Sequence, residues 1–166
     1  MAFVRRVVVC LFALALANAG LAASDALARD DGGSKVNFPA GIKWLPWDAA
    51  VKQAKAKGKP ICLVVYAHWC PKCRDLAPAF ADPEIAKLAK ELLMVHQNAD
   101  DRPDWLAQRF GKFGGYVPRL FFLRPDGSVA EDIVSGHAKF PYFYQPHKLD
   151  QLKAAMAKAA AMKKKG

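Results

Sequence analysis

The stretch Ile61-Cys62-Leu63-Val64-Val65-Tyr66-Ala67-His68-Trp69-Cys70-Pro71-Lys72-Cys73 decides the fold. Its first seven residues are continuously apolar and rich in β-branched side chains, the pattern of a strand buried on both faces. The run ends directly at a cysteine pair spaced by two residues, followed by helix-forming composition. A buried strand therefore delivers Cys70 to the start of a helix, with Pro71 at the first helical position, where its missing N–H needs no acceptor.

Working outward, Trp47, Ala50, Val51 and Ala54 recur at helical spacing before Gly58 stops the pattern. Residues 71–81 continue as helix, with Leu76 and Phe80 one turn apart and Pro78 as a kink. Asp82-Pro83-Glu84 restarts a helix by supplying a cap, a first-position proline and a first-turn acid. Leu92 to Val95 reads as the second strand, Asp104 to Phe110 as a short helix, and Arg119 to Leu123 as the third strand. Pro125-Asp126-Gly127 turns the chain so that Ser128 to Val134 returns antiparallel. Leu149, Leu152, Met156 and Ala160 stripe a closing helix. A strand–helix–strand unit followed by a hairpin and a closing helix predicts an α/β protein. It has a mixed central sheet with helices on both faces, the thioredoxin fold.

The ends read differently. Arg5 and Arg6 precede the apolar run Val7 to Ala17, and Ala-x-Ala sites follow at Ala17-Asn18-Ala19 and Ala26-Leu27-Ala28. Residues 1–28 thus have the layout of a signal peptide, with an uncleaved anchor as the competing reading. Polar, Gly-rich residues 29–40 predict a flexible arm, residues 41–162 the folded domain, and residues 163–166 a basic tail. No transmembrane span is expected in the mature chain. The Ala-rich signal points to a bacterial periplasm, with the endoplasmic reticulum lumen or secretion as alternatives.

The formal charge is +10 and 53% of residues are apolar, which favours a buried core over disorder. The lysines are scattered over helices (Lys52, Lys55, Lys57, Lys59, Lys87, Lys90) and gathered in the tail Lys163-Lys164-Lys165. No aromatic-interleaved motif accompanies them, so solvated helix faces are the reading and no nucleic-acid partner is expected.

Once Cys10 leaves with the signal, Cys62, Cys70 and Cys73 remain, too few for a disulfide framework. A thiol attacks a disulfide only as thiolate, and a helix N-terminus, worth roughly half a positive charge, favours that form at Cys70. Cys70 is then the outer nucleophile and Cys73, one turn further in and more buried, the resolving thiol. Lys72 adds a nearby cation, screened if it is exposed. Trp69 shields the site and offers an apolar docking face. Pro118, entering the third strand after Gly114-Gly115-Tyr116-Val117, takes the place where a thioredoxin fold carries a cis proline beside the sulfurs, leaving the Val117 backbone open to an extended client. His68 reads as a solvent-facing loop residue, Cys62 as an inert core thiol. Zinc needs two further ligands, for which only Cys62 and His68 lie near. No cofactor is implied, since the dithiol itself carries the electrons.

These elements together resemble the thioredoxin superfamily. Within it, the chain is most similar to small endoplasmic-reticulum proteins of the anterior-gradient and thioredoxin-domain-containing-12 group. The likeness rests on Ile42-Lys43-Trp44, Lys59-Pro60, Trp69-Cys70-Pro71-Lys72-Cys73 and Gly114-Gly115-Tyr116-Val117-Pro118-Arg119. It continues through Phe122 to Gly127 and Tyr142-Phe143-Tyr144. It implies disulfide oxidoreductase or isomerase activity on exported thiol or disulfide proteins, with an unidentified redox partner. Tyr116, Val117 and Arg119 form the client-binding edge. Two departures stand out. The chain ends Lys163-Lys164-Lys165-Gly166 without a Lys-Asp-Glu-Leu-type signal, and Val64 occupies the position of the usual buried acid six residues before the first cysteine. Lys72 and Val117 lean toward an oxidising couple. A client-binding module without catalysis and a thiolate metal carrier using Cys70, Cys73 and His68 are the alternatives.

Overall fold

The structure, a computed structural model, describes residues 35–162, all within the unit Gly32–Gly166. The segment 1–28 read as a signal peptide, arm residues 29–34 and the tail 163–166 lie outside the described residues. Helix α1 spans Trp47–Lys57 and is closed by Gly58, whose φ of 61° is a left-handed conformation that glycine adopts without a Cβ clash. Strand β1 is Ile61–Tyr66, and all of its residues are buried. Helix α2, Pro71–Leu76, passes into a 3-10 turn at Ala77–Ala81, where Pro78 interrupts the α-helical pattern. Helix α3, Pro83–Ala89, starts at Asp82, whose side chain accepts from the N–H groups of Glu84 and Ile85 at 2.9 and 3.1 Å. Those bonds, the Ile85 amide foremost, hold the Asp82 carboxyl below its usual range. Lys153 of the last helix lies 3.2 Å from Asp82 and 3.0 Å from Glu84, tying the two helices together.

Strand β2 is Leu93–Asn98, helix α4 Asp104–Phe110, strand β3 Arg119–Leu123 and helix α5 Leu149–Ala160. The strand order is β2-β1-β3, with β2 parallel to β1 and β3 antiparallel to it. Side chains alternate across the sheet. Ile61, Leu63, Val65, Phe121 and Leu123 pack under α1 and α4, whereas Cys62, Val64, Met94, Leu120 and Phe122 pack against α3 and α5. Each large apolar side chain so buried contributes about 1.5–3 kcal/mol, which fixes β1 between two layers and with it the loop that carries Cys70.

Two expectations are corrected. Ser128 to Val134 is not a strand: one bridge joins Leu123 and Val129, and Ala130 donates to the Phe122 carbonyl. The Ile133 N–H then turns back to the Ala130 carbonyl, and the chain leaves the sheet edge. The arm is not free after residue 35. Val36 is 6% exposed, and the Phe38 ring stacks on His96 (4.9 Å between centroids, 8° between planes) with Trp44, Tyr66 and Phe80 around it. An apolar residue at each of these positions finds a cage built from distant parts of the chain. Strand β2 also runs past Val95 through His96, Gln97 and Asn98, paired with Val64, Val65 and Tyr66 of β1.

Candidate active site

Beyond β1 the chain turns on an N–H of Cys70 donated to the Ala67 carbonyl at 3.2 Å. Cys70 is the residue that caps α2: its Sγ accepts the Cys73 N–H at 3.3 Å. Its carbonyl accepts from the Cys73 and Arg74 amides at 3.1 and 3.3 Å. The Cys70 thiol points at the Val117 carbonyl, 3.6 Å away. The sulfur at position 70 thus lies between the first turn of α2 and the segment before β3, where Pro118 is buried and the Val117–Pro118 bond is cis. Arg74 donates to the His68 carbonyl at 2.9 Å and fastens the loop to the helix.

Cys70 and Cys73 are 4% and 2% exposed, so the expected contrast in burial is slight. Burial pushes the Cys73 thiol well above its ordinary range, and its hydrogen bond with Cys70 adds to this, while the Ala67 amide and the Arg74 charge pull weakly the other way. These effects together favour the neutral form of Cys73. Val64, in the position that an acid would occupy, is buried in the strand and offers no proton acceptor.

The flanking residues divide. Trp69 is 64% exposed, its indole N–H donating to Asp100 at 3.2 Å, so the ring stands as an apolar platform beside the cysteines. Lys72 pairs with Asp75 at 3.5 Å, both side chains more than half exposed. Its charge is shared with a carboxylate and screened by water. Arg119 is corrected from a client-binding residue to a structural one. It is 5% exposed and donates to the carbonyls of Gly114 and Phe110, bracing the loop before β3 between the Tyr116 and Phe121 rings. Tyr116 is half-buried; its hydroxyl accepts the Tyr142 N–H at 3.0 Å and its ring packs on Phe140. Of the three edge residues, Val117 alone faces the sulfur through a hydrogen bond.

His68 is also corrected. Rather than facing solvent, it turns Nδ1 to the Val36 N–H at 3.1 Å, with its ring edge-on to Tyr66. Val36 packs in one cluster with Tyr66, Ala67, Cys70, Cys73 and Ala77, so the segment ahead of α1 forms part of the site's roof. Nothing in the local sequence of Val36 marks this, since the contact spans the fold. Cys62 lies in the other core layer, beneath the sheet, and burial raises its thiol far above the ordinary range. Among the described residues, no group of three His, Cys, Asp or Glu side chains converges to hold a metal ion, and no helix is long and apolar enough to cross a membrane.

A thioredoxin-like family pattern matches residues 43–125. Anterior gradient protein 2-B of Xenopus laevis is 30% identical over 125 residues, covering 74% of this chain and 74% of the relative. Anterior gradient protein 3 of Xenopus tropicalis is 30% identical over 126 residues, covering 71% of each. Among solved structures, a thioredoxin from Thermus thermophilus superposes with a TM-score of 0.53 at 20% identity, covering 73% of this chain and 92% of that one.

Proposed function

Because the chain belongs to the thioredoxin-like family, we propose that it is a thiol–disulfide oxidoreductase acting on exported proteins through Cys70 and Cys73. The observation that carries this reading is the seat of the Cys70 sulfur, 3.3 Å from the Cys73 amide and 3.6 Å from the Val117 carbonyl. The amide stabilises negative charge on sulfur. The Val117 backbone lies where an extended client can pair alongside it.

In the reducing direction, the Cys70 thiolate attacks one sulfur of a client disulfide. The client S–S bond breaks, a Cys70–client bond forms, and the released client sulfur takes a proton. Cys73 then loses its proton and attacks the Cys70 sulfur. The mixed disulfide breaks, the Cys70–Cys73 bond forms, and the second client thiol leaves. Two electrons pass from the dithiol to the client, and the reverse sequence oxidises a client dithiol. Burial favours the protonated Cys73 thiol, so its attack needs a proton acceptor, a water or the departing client thiolate. The Cys70–Cys73 reduction potential sets the direction, with about 30 mV equal to about 1.4 kcal/mol. The N-terminal pattern of residues 1–28 supports export, and a periplasm is the compartment proposed.

Insulin reduction by wild type, Cys70→Ser and Cys73→Ala tests the reading. Catalysis abolished by the first and reduced to slow, single-turnover thiol chemistry by the second is the expected result. Equal activity of wild type and Cys73→Ala removes dithiol catalysis and leaves a client-binding module.

A further inference from the structure

The lysines that look scattered in the sequence converge in part. Lys43 ahead of α1, Lys57 at its end, Lys59 before β1 and Lys90 after α3 line one groove of about 680 Å³ whose floor includes Leu45 and Leu92. Among the described residues, no carboxylate lines it. Among the described residues, the ion pairs involve Lys72, Lys112, Arg124, Lys153 and Lys158, and none involves a groove lysine. Lys57 and Lys59 donate to neutral acceptors, the Gln53 amide oxygen at 3.1 Å and the Lys90 carbonyl at 2.5 Å. The groove therefore concentrates positive charge over an apolar floor.

We propose that this groove binds an acidic, partly apolar polypeptide segment of a client or redox partner. Three observations select that occupant. The charge calls for an anion, and the concave apolar floor calls for side chains that fill it. Among the described residues, no aromatic side chain lines it to stack a base, which disfavours single-stranded nucleic acid. Among the described residues, the exposed large apolar side chains are Trp69 and Val134, neither of them at the groove, so none of them anchors a bilayer there. The groove sits at the start of β1 and β2, whereas Cys70 follows the end of β1, a strand length of about 20 Å away. A segment held there leaves the cysteines open and raises the local concentration of a tethered disulfide.

The test is fluorescence anisotropy with a cysteine-free, fluorescein-labelled twelve-residue peptide repeating Glu-Glu-Leu. Wild type and Cys70→Ser bind it equally, so the result stands apart from any redox activity. A Lys43→Glu/Lys90→Glu variant binds about tenfold more weakly, and Lys43→Gln/Lys90→Gln falls between, while both retain wild-type thermal unfolding. Amide shifts on titration centre on Lys43, Lys59, Lys90 and Leu92. Unchanged affinity in the reversed variant overturns the proposal, as do shifts confined to Lys163–Lys165. So does binding to phosphatidylglycerol vesicles or to a single-stranded oligonucleotide in place of the peptide.

Discussion

The backbone N–H of Val36 donates to Nδ1 of His68 at 3.1 Å, closing the segment ahead of α1 onto the loop that carries Cys70. Val36 shares a hydrophobic cluster with Cys70 and Cys73, so this bond fastens a residue that packs against the sulfurs. Replacing His68 with Leu removes the acceptor and leaves the Val36 amide unpaired. Such a bond contributes about 0.5–1.5 kcal/mol, so alkylation of Cys70 by iodoacetamide should accelerate about two- to tenfold. Val36→Ser should act in the same direction. Unchanged alkylation rates in both variants would show that the segment does not screen the site.

The raised Cys73 and Cys62 thiols give a pattern of reactivity with pH. Burial favours the neutral thiol at both positions in the reduced, folded protein, and Cys73 gives up its proton only as it attacks the Cys70 mixed disulfide. Mass mapping after brief alkylation of the folded protein should find label on Cys70 and almost none on the other two. Label on Cys73 matching that on Cys70 at neutral pH would contradict the assignment of nucleophile and resolver.

Burial pushes the His96 imidazole below its ordinary value of 6.5, in a cage of the Phe38, Trp44 and Tyr66 rings. The unfolded chain takes up this proton at a higher pH than the folded one. The contribution of His96 to stability is therefore complete above the ordinary value and is lost as pH falls through it toward the depressed folded value. The urea midpoint of wild type should drop between about pH 7.5 and about pH 5, and His96→Phe, which keeps the stack, should drop less. Parallel pH profiles would remove His96 as the source.

Arg119 separates a structural from a client-binding role. Arg119→Leu leaves the Gly114 and Phe110 carbonyls without their donor, which costs about 1–3 kcal/mol of stability by urea unfolding. The KM for insulin of the folded variant should stay at the wild-type value. A raised KM with unchanged stability would return Arg119 to the client-binding edge.

Much of this architecture is legible residue by residue. The unbroken apolar run Ile61 to Tyr66 has no stable home except a central strand, and the helix Asp104–Phe110 and strand Arg119–Leu123 have the bounds their patterning implies. What escaped is non-local. The tight turn Pro125-Asp126-Gly127 implies a returning strand, yet backbone turns after Ala130 carry the chain off the sheet. Val36 and Phe38 sit in a polar stretch, and their burial exists only because Tyr66, His68 and His96 assemble a cage from β1, the loop after it and β2. Arg119 follows the cis bond in a segment that reads as an exposed edge, and carbonyls from a folded loop draw its side chain inward. The four groove lysines are likewise brought together by tertiary structure, not by spacing.

The division of labour between the two cysteines is tested most directly by trapping. Cys73→Ala mixed with a scrambled, disulfide-containing client protein should accumulate a covalent complex through Cys70, released by dithiothreitol, while wild type accumulates none. No complex with Cys73→Ala, or a complex joined through Cys62, would contradict the account.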